Sequence, residues 1–121
     1  MIGHTNATKA QANAGFSPCA KTVTHLFNGI PKLPDEGLSD AALQRKDVII
    51  QIIVYGVHVA DDLLARTLPK VIDRFIITND VAAGLGSGNF TFGEINVITE
   101  NGQARSIDGM LAVSLPAWMI H

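Results

Sequence analysis

Residues 48–55 are apolar at every position except Gln51, and this run constrains the fold more than any other stretch. A strand with one solvated face alternates apolar and polar residues. An unbroken run implies cover on both faces, which is the habit of parallel sheets. Parallel neighbours need a long crossover, usually a helix, and the chain supplies one. Residues 61–68 carry Leu63, Leu64 and Leu68 at helical spacing, with Asp61 and Asp62 at the start and Arg66 near the end, charges that suit the helix dipole. Pro69 is expected to stop this helix, because it has no N–H for the ladder. Residues 71–78 then read as the next strand.

The same alternation extends upstream. Asn6 is placed to cap a helix over residues 7–15 that ends at Ser17-Pro18. Residues 21–27, with Val23, Leu26, Phe27 and β-branched threonines, read as a strand closed by the turn Asn28-Gly29-Ile30-Pro31. Residues 31–37 read as loop and residues 39–44 as a short helix. After Asn79 the character changes. A loop with Gly84, Gly86 and Gly88 leads to short strands at 89–92, 94–100 and 103–107, and Asn101-Gly102 between the last two is a type I′ hairpin signal. The fold class expected is α/β: a partial TIM-type barrel of alternating parallel strands and helices, followed by short β-hairpins, all in one domain over 1–121. The 121 residues are too few for a whole barrel, which needs about 200 or more.

Charge narrows the partners. Nine Lys and Arg stand against eleven Asp and Glu, with no basic run to track a phosphate backbone, so no nucleic-acid partner is expected. The longest apolar run is too short to span a bilayer, so no membrane partner is expected. Cys19 is the single cysteine and reads as a small buried residue with no base partner. With no internal disulfide and no secretory leader expected, the cytoplasm is the expected compartment. Apolar strands at open barrel edges point to self-association as a homo-oligomer.

His4, His25, His58 and the pair Asn79-Asp80 each fall at or just past the C-terminal end of an expected strand, one repeat apart. That edge is where ligands and catalytic groups collect in barrels and doubly wound sheets. Imidazole suits zinc or iron, and a nearby carboxylate can take a proton from metal-activated water, the chemistry of amide hydrolysis. A structural or surface role for each histidine is the alternative reading of the spacing.

Gly3-His4-Thr5-Asn6-Ala7-Thr8 and Thr24-His25-Leu26-Phe27-Asn28-Gly29-Ile30 resemble the paired motifs of N-acetylglucosamine-6-phosphate deacetylases, in the amidohydrolase superfamily. The resemblance continues through Gly56-Val57-His58-Val59, Thr78-Asn79-Asp80-Val81-Ala82-Ala83-Gly84 and Asp108-Gly109-Met110-Leu111-Ala112, and corresponds to the C-terminal part of the catalytic barrel. It implies a divalent metal, zinc first and iron second, held by His4 and His25. It implies that Asn28, Gly29 and His58 contact a small amino-sugar phosphate, and that an aspartate acts as general base.

The chain also departs from that pattern. The family's Thr-Asp-Ala reads Thr78-Asn79-Asp80 here. An ungapped reading puts Asn79 on the catalytic position, whereas a one-residue shift restores Asp80 at the cost of turning it to the other face of the strand. The loop that supplies a phosphate-binding arginine reads Lys32-Leu33-Pro34-Asp35-Glu36-Gly37, and Tyr55 replaces the aspartate before Gly56. The family's glutamate ligand belongs to the other half of the barrel. Two expectations follow: a metal-dependent deacetylase with Asp80 as base, or a truncated, inactive remnant of one.

Overall fold

The structure, a computed structural model, describes residues 1–17, 19–30, 36–54, 58–79, 88–92, 95–100, 103–109 and 111–114. They fall into two compact units, Met1–Thr78 and Asn79–His121. Among the described residues no helix is long and apolar enough to cross a membrane.

In the first unit, helix α1 (Lys9–Phe16) is followed by strand β1 (Thr22–Val23), helix α2 (Leu38–Gln44), strand β2 (Ile49–Ile52), helix α3 (Asp61–Val71) and strand β3 (Phe75–Ile77). The strands lie parallel in the order β1-β2-β3, with Val23 level with Ile50 and Ile50 level with Phe75. Ile2 adds a further parallel rung at the outer side of β1, its N–H on Thr22 O at 2.8 Å and its carbonyl taking Thr24 N–H at 2.9 Å. Chain order and spatial order therefore coincide from Ile2 to Ile77, as the strand-helix alternation required.

Register puts Val23, Ile50 and Ile52 on one face, all fully buried, where they join Ala12 and Phe16 of α1, Leu38, Ala41 and Ala42 of α2, and Leu64 and Val71 of α3 in one core. The opposite face is less covered. Ile49 is 40% exposed and Ile76 49%, so the expectation of a β2 covered on both faces is corrected to cover on one.

The helix boundaries also differ in two places from the expected ones. Thr8, not Asn6, caps α1: its hydroxyl accepts the Gln11 N–H at 3.3 Å while Gln11 Oε1 takes the Thr8 N–H at 2.9 Å. Position three beyond Asn6 is Lys9, which cannot return such a bond, so the reciprocal box selects Thr8. Helix α3 runs past Pro69 to Val71. Val71 is fully buried, and burial of that side chain, worth about 1.5–3 kcal/mol, offsets the ladder bond the proline removes. Arg74, just beyond α3, donates to Leu43 O at 2.8 Å, Ala42 O at 3.3 Å and Val48 O at 2.8 Å. It thus satisfies carbonyls at the C-terminal end of α2 and at the entry to β2. Cys19 is exposed rather than buried, because it lies in the turn between α1 and β1, outside the core.

The second unit is an antiparallel meander of β4 (Gly88–Phe92), β5 (Ile95–Glu100), β6 (Gln103–Ser106) and β7 (Leu111–Ser114). Glu100 pairs with Gln103, the register of a two-residue hairpin, although Asn101 and Gly102 themselves lie outside the described residues. Along β5, Val97 and Thr99 are buried while Asn96, Ile98 and Glu100 are exposed, the alternation of a sheet with one covered face. Strand β7 extends the expected hairpins by one partner, with a register irregularity at Ala104/Arg105.

Candidate functional site

The first unit gathers His4, His25, Asn28, Gly29 and His58 at the C-terminal ends of its successive parallel segments. His4 follows the rung at Ile2, His25 follows β1, and His58 lies beyond β2. Strand β1 was expected to continue to Phe27, but the backbone leaves the sheet at His25. The residues after it form a tight turn in which Asn28 N–H donates to His25 O at 2.9 Å.

The turn and the segment at His4 are built from conformations that side chains rarely adopt. His4 has φ 47°, His25 φ 29° and Phe27 φ 74°, and Gly29 sits at φ 59°. A non-glycine residue in the left-handed region costs about 1–3 kcal/mol and persists only where its surroundings over-determine it. Here the surroundings are the core. Leu26 is fully buried and Phe27 nearly so, and Leu26 N–H donates to Gln51 O at 2.7 Å. The two apolar side chains anchor the turn and leave His25 and Asn28 aimed into the site.

Buried polar groups then interlock. His25, Asn28 and His58 are each less than a tenth exposed. His25 Nδ1 lies 3.2 Å from the Asn28 main-chain carbonyl, and His58 Nδ1 lies 3.1 Å from Asn28 Oδ1. The rings of His4 and His25 meet edge to face with centroids 4.5 Å apart. Gly29 closes the cluster, since a Cβ there would lie 2.9 Å from His4 Cε1 and closer still to Nδ1. The fit of His4 against the turn depends on the absence of that atom. Asn28 Nδ2 is buried with no hydrogen-bond partner among the described residues, a state that buried polar groups rarely keep.

As a metal-binding set the cluster is consistent but incomplete. Two imidazoles suit zinc or iron, and an Nδ1–H bonded to a main-chain carbonyl is the support that ligating histidines commonly have. Among the described residues no group of three or more His, Cys, Asp or Glu is arranged so that it could hold a metal ion. Asp80, the expected base, lies outside the described residues. Asn79, its neighbour, is exposed and follows Thr78, whose N–H donates to Ile52 O at 3.0 Å. Sequence reasoning missed Phe27 and Gly3. Gly3 packs so closely on Thr24 that a side chain there would collide with its methyl group. The glycine in the Gly3-His4 motif was the available signal.

The chain is thus an α/β protein whose parallel segments end in a strained cluster of buried His25, Asn28 and His58, with the exposed His4 against it. No family profile matches it. It is similar to sugar-phosphate deacetylases. The N-acetylgalactosamine-6-phosphate deacetylase of Escherichia coli O157:H7 is 30% identical over 118 residues, 94% of this chain and 31% of the relative. The N-acetylglucosamine-6-phosphate deacetylase of Vibrio furnissii is 31% identical over 121 residues, 94% of this chain and 30% of the relative. Among solved structures, an aspartate-to-alanine variant of the Mycobacterium smegmatis N-acetyl-D-glucosamine-6-phosphate deacetylase, in complex with N-acetyl-D-glucosamine-6-phosphate, superposes with a TM-score of 0.84. It is 26% identical and is matched over 98% of this chain and 33% of its own. The resemblance to this deacetylase family therefore covers nearly the whole chain, while the chain spans about a third of the length of these relatives.

Proposed function

We propose that this chain carries part of the active site of a metal-dependent deacetylase that hydrolyses N-acetylglucosamine-6-phosphate to glucosamine-6-phosphate and acetate. The observation that carries the reading is the convergence of His4, His25, Asn28 and His58 on one strained cluster at the ends of successive parallel segments. The sequential parallel order also suits consecutive staves of a TIM-type barrel. In this reading His4 and His25 hold a divalent metal, zinc first and iron second, which when bound supplies Lewis-acid activation of water at neutral pH. Asp80 takes the proton from water and returns it to the leaving amine. Asn28, Gly29 and His58 contact the amino-sugar phosphate, and Asn28 Nδ2 has a hydrogen to offer an oxygen of that ligand.

A second reading, a catalytically inactive remnant that acts as a non-enzymatic oligomer, is favoured by the Thr78-Asn79-Asp80 order and by the two-histidine set. Acetate release separates the two. Purified chain, supplied with zinc or iron, is assayed against N-acetylglucosamine-6-phosphate and N-acetylgalactosamine-6-phosphate, with His4→Ala and Asp80→Asn variants alongside. The deacetylase reading expects turnover of the first sugar phosphate that falls by at least 100-fold in both variants. Equal background in all samples would favour the remnant.

A further inference from the structure

Asn28 touches both buried histidines through two different oxygens. The main-chain carbonyl of Asn28 can only accept, so the nitrogen 3.2 Å away, His25 Nδ1, must be the one that carries hydrogen. Oδ1 of the Asn28 side chain can likewise only accept, and it faces His58 Nδ1 at 3.1 Å. A neutral imidazole holds one hydrogen, so a donor at Nδ1 fixes the lone pair on Nε2. The turn holds both oxygens in place, because Asn28 N–H is itself bonded to His25 O and the residue is 8% exposed.

We propose that Asn28 is a positioning residue that sets the tautomer of both histidines as Nδ1–H, His25 through its backbone and His58 through its side chain. The consequence differs for the two rings. His25 presents Nε2 as the nitrogen able to ligate a metal. His58 presents Nε2 as an acceptor, so any group that meets it there must bring an N–H or O–H, and a bare carbonyl or phosphate oxygen is disfavoured. The donor for such an oxygen is instead Asn28 Nδ2. Those consequences rest on the deacetylase reading, but the tautomers themselves do not.

The test is a long-range proton–nitrogen correlation spectrum of the metal-free full chain, with histidine labelled in 15N, recorded at about pH 8.5, two units above the ordinary histidine pKa of about 6.5. It separates protonated from unprotonated ring nitrogens, and single His→Gln variants assign the chain's four histidines. The expected result is Nδ1–H for His25 and His58. In Asn28→Ala, His58 moves to the Nε2–H form that imidazole favours in water, while His25 keeps Nδ1–H. In Asn28→Asp, whose carboxylate can only accept, His58 returns to Nδ1–H. An Nε2–H signal for His58 in the wild-type chain, or an unchanged His58 in Asn28→Ala, would overturn the proposal. The wild-type spectrum decides it even if a variant fails to fold, and it does so whether or not the chain releases acetate.

Discussion

At Gly29 the requirement for glycine is twofold: φ 59° lies in the left-handed region, and the space a Cβ would fill is occupied by the His4 ring. Gly29→Ala therefore asks alanine to adopt a conformation costing about 1–2 kcal/mol and pushes the ring away from His25. Urea denaturation is expected to show a loss of about that size, and a zinc titration should show affinity reduced at least tenfold. Unchanged affinity would mean that the His4–His25 edge contact does not matter for metal. The residues that the structure gathers at the candidate site were singled out in the sequence by motifs, Gly3-His4 and Thr24 to Ile30 among them. Their conformations were not. Histidine tolerates positive φ better than most residues, but the sequence does not say which histidine adopts it, and at His25 and Phe27 it accompanies the burial of Leu26 and Phe27 and the bond from Leu26 N–H to Gln51 O. The base was not settled either, since Asn79 and Asp80 compete for one position and Asp80 lies outside the described residues.

Among the elements, helices α2 and α3 illustrate what local reading can and cannot reach. Helix α2 lacks a side-chain cap hydrogen bond at its N-terminal Gly37, and its C-terminal end leans on Arg74 from beyond the next helix. Arg74→Lys keeps the charge but cannot fork to three carbonyls. A loss of roughly 2–3 kcal/mol is expected in urea denaturation, in line with hydrogen bonds to a charged donor. For Pro69 the expectation has the opposite sign. Pro69→Ala restores an N–H to the ladder of a helix that already continues to Val71 and should stabilise the chain by about 1–2 kcal/mol after allowance for the freer unfolded state. Loss of stability instead would show that the proline's shape, not merely its tolerance, fits that turn. Period and charge had located α3 from the sequence alone, and residues 39–44 had been read as a short helix. The stop at Pro69 failed because a local rule was set against the burial of Val71, a long-range fact.

Over the whole molecule, the strand-helix alternation correctly gave a parallel sheet in chain order and a separate set of hairpins. What the alternation could not give was the coverage of the sheet. Ile49 and Ile76 share the less covered face, and Ile77 on the edge strand is 61% exposed, a surface of the kind that associates. Ile76→Lys is expected to shift the chain toward monomer in sedimentation velocity at tens of micromolar. A wild-type chain that is already monomeric there would contradict the expectation. The central claim is that His4 and His25 form part of a metal centre, and metal content of purified, monodisperse protein tests it most directly. Elemental analysis is expected to find about one zinc or iron per chain, lost in both His4→Ala and His25→Ala while the variants stay folded. Protein that remains metal-free after incubation with zinc and iron, or variants that keep the metal, would contradict it.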